Sequence, residues 1–255
     1  LGNSDKLAHF IGECTDMGIL VLGPEVNESG ENFTPLVGDG ENLGSIRFGL
    51  SAVKGVGDVA GKIIVEERRE NGPFVSFTDL VERVDGKSVN KRVLECLIKS
   101  GGFDALAGNR AALLTDLDRA MGEAHLRRKD REAGQSNLFD LMSGEENSDT
   151  DSTSNDFSPA QSLPEVPEMD ELEKLKLEKE LLGFFLSGHP VDTLGGLGPL
   201  FDTITQAELD GLEGKRSYRL CGVIAEVERR YTKKDAKPWA RFTLLTKEKD
   251  FSFPM

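Results

Sequence analysis

The chain has 255 residues, of which 30% are charged and 38% hydrophobic, and a net charge of −14 at neutral pH. Its three cysteines, Cys14, Cys96 and Cys221, are far apart and odd in number, with no CxxC pair or Cys/His cluster, which excludes a disulfide framework and a structural zinc site. No apolar run approaches the roughly 18–20 residues that span a bilayer and no signal peptide is legible, so a soluble cytoplasmic protein of one or two domains without a membrane partner is expected.

In chain order, residues 5–17 read as a helix, with Leu7, Phe10, Ile11 and Cys14 on one face and Gly18 as terminator. Residues 19–22 form a short extended run, followed by turn chemistry at Gly23-Pro24 and Asn27–Gly30. Residues 46–50 read as a short strand or turn entry. A helix follows Gly57 to about Glu70, with Val59, Ile63 and Ile64 inward and Lys62, Arg68 and Arg69 outward, and Asn71-Gly72-Pro73 stops it. Residues 77–84 form a second helix. Asn90 caps a third, whose apolar face is Val93, Leu94, Leu97 and Ile98, and Gly101-Gly102 ends it so that Phe103 and Leu106 fold back. A fourth covers about 109–133.

Between 134 and 167 the composition turns to Ser, Asp, Glu, Asn and Pro, which cannot bury enough apolar surface to offset ordering entropy; a disordered, flexible linker is expected. Residues 168–186 are again helical, with Leu172, Leu175, Leu182 and Phe185 on a stripe. Strands are expected at 218–227, 239–245 and 251–253, with a polar loop between the first two. The chain begins at Leu1 and ends at Met255 inside an expected strand, so an interior segment of a longer protein is expected.

The acidity is local. Residues 1–43 carry Lys6 alone against eight acids, and residues 140–180 carry thirteen acids against three lysines. Residues 44–131 have three more bases than acids, and residues 211–249 have eleven bases against five acids. Screening beyond about 8–10 Å makes the local balance the relevant one.

Three patterns carry chemistry. Val53-Lys54-Gly55-Val56-Gly57 before a helix is the core of a helix-hairpin-helix unit: glycine lets backbone N–H groups approach a phosphate, the helix N-terminus adds positive potential, and Lys54 supplies a cation. Lys62, Lys91 and Arg92 are the accompanying candidate DNA contacts. Asp58 counts against contact, and a plain glycine turn fits the same residues. Gln135-x-x-Leu138-Phe139 has the form of a docking peptide, a polar anchor and an aliphatic–aromatic pair on a tether, although Leu138 and Phe139 could equally pack on the preceding helix. Arg229, Arg230, Lys233 and Lys234, interleaved with Tyr231 and Trp239, suit the single-strand-binding face of an OB-type barrel, or a solvated basic hairpin.

Longer motifs resemble a family. Ile46–Gly57, Gly72-Pro73-Phe74, Asn90-Lys91-Arg92 and Gly101-Gly102-Phe103-Asp104 resemble the alpha subunits of bacterial DNA polymerase III, the C-family replicative polymerases. Cys14–Gly30 is similar to the end of that family's fingers region, and Glu178–Pro190 to the segment before its OB domain. The resemblance implies a multidomain α+β organisation: residues 1–43 ending the fingers, a mostly α-helical tandem helix-hairpin-helix module at 44–133, a disordered linker with a clamp-binding peptide at 134–167, a short connecting helix at 168–190 and a partial all-β OB-fold at 211–255. It implies that Gln135, Leu138 and Phe139 bind the sliding clamp. It also implies duplex and single-stranded DNA and other replicase subunits as partners. Family catalysis is two-metal phosphoryl transfer by palm aspartates holding Mg²⁺. No acidic pair here resembles those aspartates, so no catalytic residue, metal ligand or cofactor is expected in this segment, and polymerisation belongs to the parent protein. The alternatives are an error-prone relative of the same family, a non-catalytic helix-hairpin-helix/OB repair module, and an interaction protein. His9, His125 and His189 are isolated, and His189 reads as a structural cap.

Overall fold

The computed structural model describes residues 4–38, 44–132, 163–194, 219, 221–231, 238–246 and 250–254. Among these the chain divides into two compact units, Leu1–Phe184 and Phe185–Met255. The architecture is α+β: a helical helix-hairpin-helix module and two small three-stranded sheets.

The first unit opens with α1, Ser4–Asp16, closed by Gly18 at φ +76°. Three short strands follow: β1, Leu20–Leu22, β2, Thr34–Leu36, and β3, Ser45–Arg47. β3 is central, parallel to β1 and antiparallel to β2. The β2 strand is absent from the sequence expectation, because Thr-Pro-Leu has too short a pattern to register as alternation.

The helices then follow the apolar periodicity. A single 3₁₀ turn at Leu50–Ala52 leads through the glycine hairpin into α2, Gly57–Asn71. α3 spans Phe77–Arg83 and is capped by the Ser76 hydroxyl, which accepts from the Asp79 N–H at 3.1 Å. α4 spans Lys91–Lys99 and is capped by Asn90, whose Oδ1 accepts from the Val93 N–H at 3.2 Å. Val93, Leu94, Leu97 and Ile98 are all buried, as the spacing requires. A single turn, α5, Asp104–Ala107, precedes α6, Arg110–Glu132.

Two expectations for α2 are overturned. Val59 is 67% exposed, while Ala60, Gly61 and Ile64 are buried; the buried face is rotated because Gly61 must meet the 3₁₀ turn, where an added Cβ would lie 2.4 Å from Ser51 Oγ. Arg68 turns inward, donating to the carbonyls of Val26 (2.6 Å) and Ser29. Burial lowers its affinity for a proton, and the neighbouring Glu25 and Glu28 act in the opposite direction. The same loop is fixed to the start of α3 by Asn27, whose amide donates to the Phe74 carbonyl at 2.9 Å and accepts from its N–H at 2.8 Å.

The chain re-enters at residue 163, and α7 spans Glu171–Leu182. The stripe of leucines accounts for only part of what it buries. Leu175, Leu181 and Leu182 are buried, and so is Glu178, at 0% exposure. Glu178 meets the Arg110 guanidinium at 3.4 Å. Arg110 also binds Asp104 at 2.6 Å and donates to the Lys99 carbonyl at 3.1 Å. Burial works against the charge on Arg110, but Asp104 and Glu178 outweigh it and raise its proton affinity. Just upstream, the Glu168 carboxylate accepts from the Arg110 and Ala111 N–H groups at 3.0 and 3.3 Å, satisfying the free donors of α6. Burial pushes this carboxyl up, and hydrogen bonds from Met169, Arg110, Ala111 and Lys174 bring it below the ordinary carboxylate range.

The second unit contains a 3₁₀ segment at Pro190–Leu194 and an antiparallel sheet of β4, Val223–Tyr231, β5, Pro238–Leu245, and β6, Asp250–Pro254. His189 Nδ1 accepts from the Val191 N–H at 3.2 Å and its ring stacks edge-on against Phe185, a capping geometry.

Removing Arg110 would break its buried ion pair with Glu178 from one side. Arg110→Ala is expected to destabilise the first unit by about 3 kcal/mol, since breaking a buried pair from one side costs roughly 3–5 kcal/mol. Lys91→Ala breaks a short but water-exposed pair with Asp118 and should leave the urea midpoint, followed by helical circular dichroism, nearly unchanged.

Candidate nucleic-acid interface

The hairpin forms because two glycines bend the chain at positive φ, Gly55 at +93° and Gly57 at +72°. The Val56 N–H donates to the Val53 carbonyl at 3.1 Å, closing the turn. Val53 and Val56 are buried and anchor the loop, while Lys54, Gly55, Gly57 and Asp58 are exposed. The Lys54 N–H donates to the Leu181 carbonyl at 2.9 Å, so the end of α7 holds the loop from outside. Among the described residues no backbone acceptor faces the N–H groups of Gly55, Gly57 or Asp58. These donors sit at the N-terminus of the 15-residue α2, where the helix dipole favours an anion.

The two glycines differ in what they serve. A Cβ at Gly55 would meet Cys96 Sγ at 2.7 Å, so this position packs on α4. A Cβ at Gly57 would meet nothing within 4 Å, so this position faces open space. Cys96 itself is half-buried; burial raises its thiol above the ordinary range, and the charges of Arg92 and Lys99 partly offset that. Arg92 and Lys99 stand four residues before and three residues after Cys96, on the α4 face that the hairpin touches. Lys99 was missed in the sequence; it lies seven residues from Arg92, two helical turns along the same face.

The remaining predicted contacts divide. Arg92 is exposed on that face. Lys62 is exposed on α2, 3.6 Å from Glu66. Lys91 points away to α6, with its Nζ 2.6 Å from Asp118. Asp58 stays exposed in the first turn of α2 and caps no N–H through the residue before the helix.

The companion hairpin at residues 100–103 is built differently. Its Gly101 and Gly102 N–H groups donate to the carbonyls of Ile98 and Leu97, and the Gly102 carbonyl accepts from Val26 at 3.0 Å. A Cβ at Gly101, φ +87°, would meet Arg110 at 2.6 Å. The Gly101 and Gly102 donors are thus used within the fold, whereas those of Gly55 and Gly57 meet no backbone acceptor among the described residues.

Gln135, Leu138 and Phe139 lie outside the described residues, as do Lys233 and Lys234. In the second unit Arg230 and Trp239 are cross-strand partners, with the guanidinium 5.9 Å from the ring centroid; Arg241 reaches the same ring at 5.9 Å. Arg230 also pairs with Glu228 at 2.7 Å. Arg229 and Tyr231 are exposed, and strand alternation places them on the opposite face from Arg230 and Trp239. Among the described residues no group of His, Cys, Asp and Glu is placed to hold a metal ion, and no helix is long and apolar enough to cross a membrane.

Comparison with known proteins agrees with this geometry. Residues 18–113 match the helix-hairpin-helix motif family. The chain is 40% identical over 246 residues to DNA polymerase III subunit alpha of Thermus aquaticus, covering 95% of this chain and 18% of that protein. It is 35% identical over 245 residues to the Saccharopolyspora erythraea subunit, covering 95% of this chain and 20% of that protein. It is 37% identical over 230 residues to that of Neisseria meningitidis serogroup B, covering 89% and 18%. The chain thus spans about one fifth of the length of these curated relatives.

Gly55→Ala should cost about 2 kcal/mol or more, from the positive φ and the clash with Cys96. Adding Cys96→Ala should recover the steric share only. In a double-mutant cycle by chemical denaturation, the pair is then less destabilised than the sum of the singles.

Proposed function

We propose, because this chain belongs to the family of DNA polymerase III alpha subunits, that it holds duplex DNA by the sugar–phosphate backbone for a replicative DNA polymerase. The observation that carries this is the hairpin at 53–57: free N–H groups on Gly55 and Gly57 at a helix N-terminus, with the exposed Lys54 beside them. Such donors read phosphate and not base edges, so the grip would be independent of sequence and sensitive to salt. A polymerase that advances along every template needs that property. The palm that would carry two-metal chemistry with Mg²⁺ is proposed to lie elsewhere in the parent enzyme, so the function here is binding.

Two finer assignments belong to this reading, of which the clamp peptide is the one that would favour a replicative role over the error-prone relative. Gln135, Leu138 and Phe139 are proposed to dock on the ring-shaped sliding clamp. β4 to β6 are proposed as strands of an OB-type fold that meets single-stranded template through the face carrying Trp239 and Arg230, by stacking and backbone contact. The Arg230–Trp239 pair favours this reading, since it holds an indole on a basic strand face.

Two measurements test these assignments. Anisotropy of a labelled blunt duplex should give a dissociation constant that rises steeply between 50 and 200 mM salt. Lys54→Glu should weaken binding roughly tenfold and shrink the log–log salt slope by about one or two. Binding unchanged by Lys54→Glu would remove the hairpin from the interface. Calorimetry against a bacterial sliding clamp should give binding that is lost when Gln135, Leu138 and Phe139 are all replaced by Ala. Equal binding by the wild type and this variant would place clamp contact elsewhere, and absence of binding by both would favour the error-prone relative.

A further inference from the structure

A groove of about 780 Å³ lies between the end of α3, the loop that follows it and the C-terminal half of α6. Its floor is apolar: Val84, Val89 and Ala124 are buried there, and the partly exposed Met121 stands among them. Its rim is cationic. Lys87 and Lys129 are exposed, and among the described residues no carboxylate lies within ion-pair distance of either. Arg128 adds a third cation, held in place by the backbone. Its Nε donates to the Glu82 carbonyl at 3.2 Å and its Nη2 to the carbonyls of Val81 and Val84, which closes the C-terminus of α3. Its Nη1 has no acceptor among the described residues and stands beside Gly86, where an added Cβ would lie 3.2 Å from it. The glycine thus keeps side-chain bulk away from that nitrogen. Asp85 is the acid in the lining, and its carboxylate is engaged by the Lys87 and Ser88 N–H groups at 3.2 and 3.3 Å and by the Ser88 hydroxyl at 3.0 Å. Arg83, also in the lining, is neutralised by Glu67 and Asp79.

We propose that this groove docks an acidic peptide with large apolar side chains, presented by a partner protein. Charge complementarity carries the first half of that assignment. Lys87, Arg128 and Lys129 face the groove without carboxylate partners, and the one acid beside them already has its acceptors in use. Carboxylates arriving there would replace water around cations that the fold leaves unneutralised. The geometry of Arg128 sharpens the point. Three backbone carbonyls fix its plane, so little side-chain entropy is lost when Nη1 takes a carboxylate oxygen. The floor carries the second half. Apolar side chains of a peptide can cover Val84 and Val89 and pack on Met121, whose flexible thioether adapts to differing shapes. A phosphodiester strand would satisfy the rim but offer the floor nothing, and it would bring phosphates against Asp85. None of these residues belongs to the hairpin at 53–57 or to α2, so the groove is a second surface, and its occupant does not depend on the duplex reading.

Panning a library of random peptides of about twelve residues against the whole chain tests this. Recovered peptides are synthesised with a fluorophore and titrated with the wild type, Lys87→Glu/Lys129→Glu and Lys54→Glu. Both lysines of the double variant are exposed, and an unchanged helical circular dichroism and urea midpoint would show that it is folded. The expected peptides combine several Asp or Glu with Leu, Phe or Met. They should bind the double variant about tenfold more weakly and Lys54→Glu as tightly as the wild type. Changing their acids to Asn or Gln, or their apolar residues to Ser, should each weaken binding several-fold. Recovery of no peptide whose binding depends on Lys87 and Lys129 overturns the proposal. Recovered peptides that lack acids, or that lose nothing when their apolar residues become Ser, overturn it as well. A blunt duplex that displaces the peptides, and that the double variant binds as weakly as Lys54→Glu does, also overturns it and makes the groove a nucleic-acid contact.

Discussion

Arg110 is the residue on which the helical unit turns. Its guanidinium is 7% exposed and lies between Asp104 and Glu178, with the Lys99 carbonyl as a further acceptor. Burying a guanidinium is costly, and the cost is met only when its donors are used. Here they are spread over three elements: the end of α4, the start of α5 and the middle of α7. The guanidinium also occupies the space beside Gly101 that a Cβ would need. One charged group therefore fixes the second hairpin and docks the segment that follows the acidic stretch.

That docking reaches the first hairpin. α7 held by Glu178 brings the Leu181 carbonyl to the Lys54 N–H, and the hairpin's other side is fixed by Gly55 against Cys96. The loop is clasped from two directions, while the N–H groups of Gly55 and Gly57 meet no backbone acceptor among the described residues. In the proposed role of these donors such rigidity would reduce the ordering entropy lost on binding an anion. The asymmetry between the hairpins has the same origin. The second hairpin uses its donors to build the core that the first one stands on.

The charge map has a matching logic. The net charge of −14 is a property of segments; near the hairpin the exposed charges are Lys54 and Asp58 on the loop and Arg92 on α4. A sequence-wide balance averages over distances far longer than the range of electrostatics in salt.

Much of this was determined by the sequence alone. The apolar spacing of Val93, Leu94, Leu97 and Ile98, the cap Asn90, and the terminators Gly18 and Gly101 act within a few residues of one another, so local rules find them. The positive φ at Gly55 and Gly57 belongs to the same class, because only glycine takes that geometry without strain. What the tertiary structure decided are the long-range pairings. Glu178 reads as one more acid on a charged helix, Arg68 as an outward cation and Val59 as a core residue; each is reassigned by a partner or a neighbour from another part of the chain. Which glycine faces open space and which faces a thiol was likewise open, since the two are alike in sequence and differ in what α4 brings against them. Burial and charge pairing depend on elements distant along the chain, and the energy of a buried ion pair has no local signature.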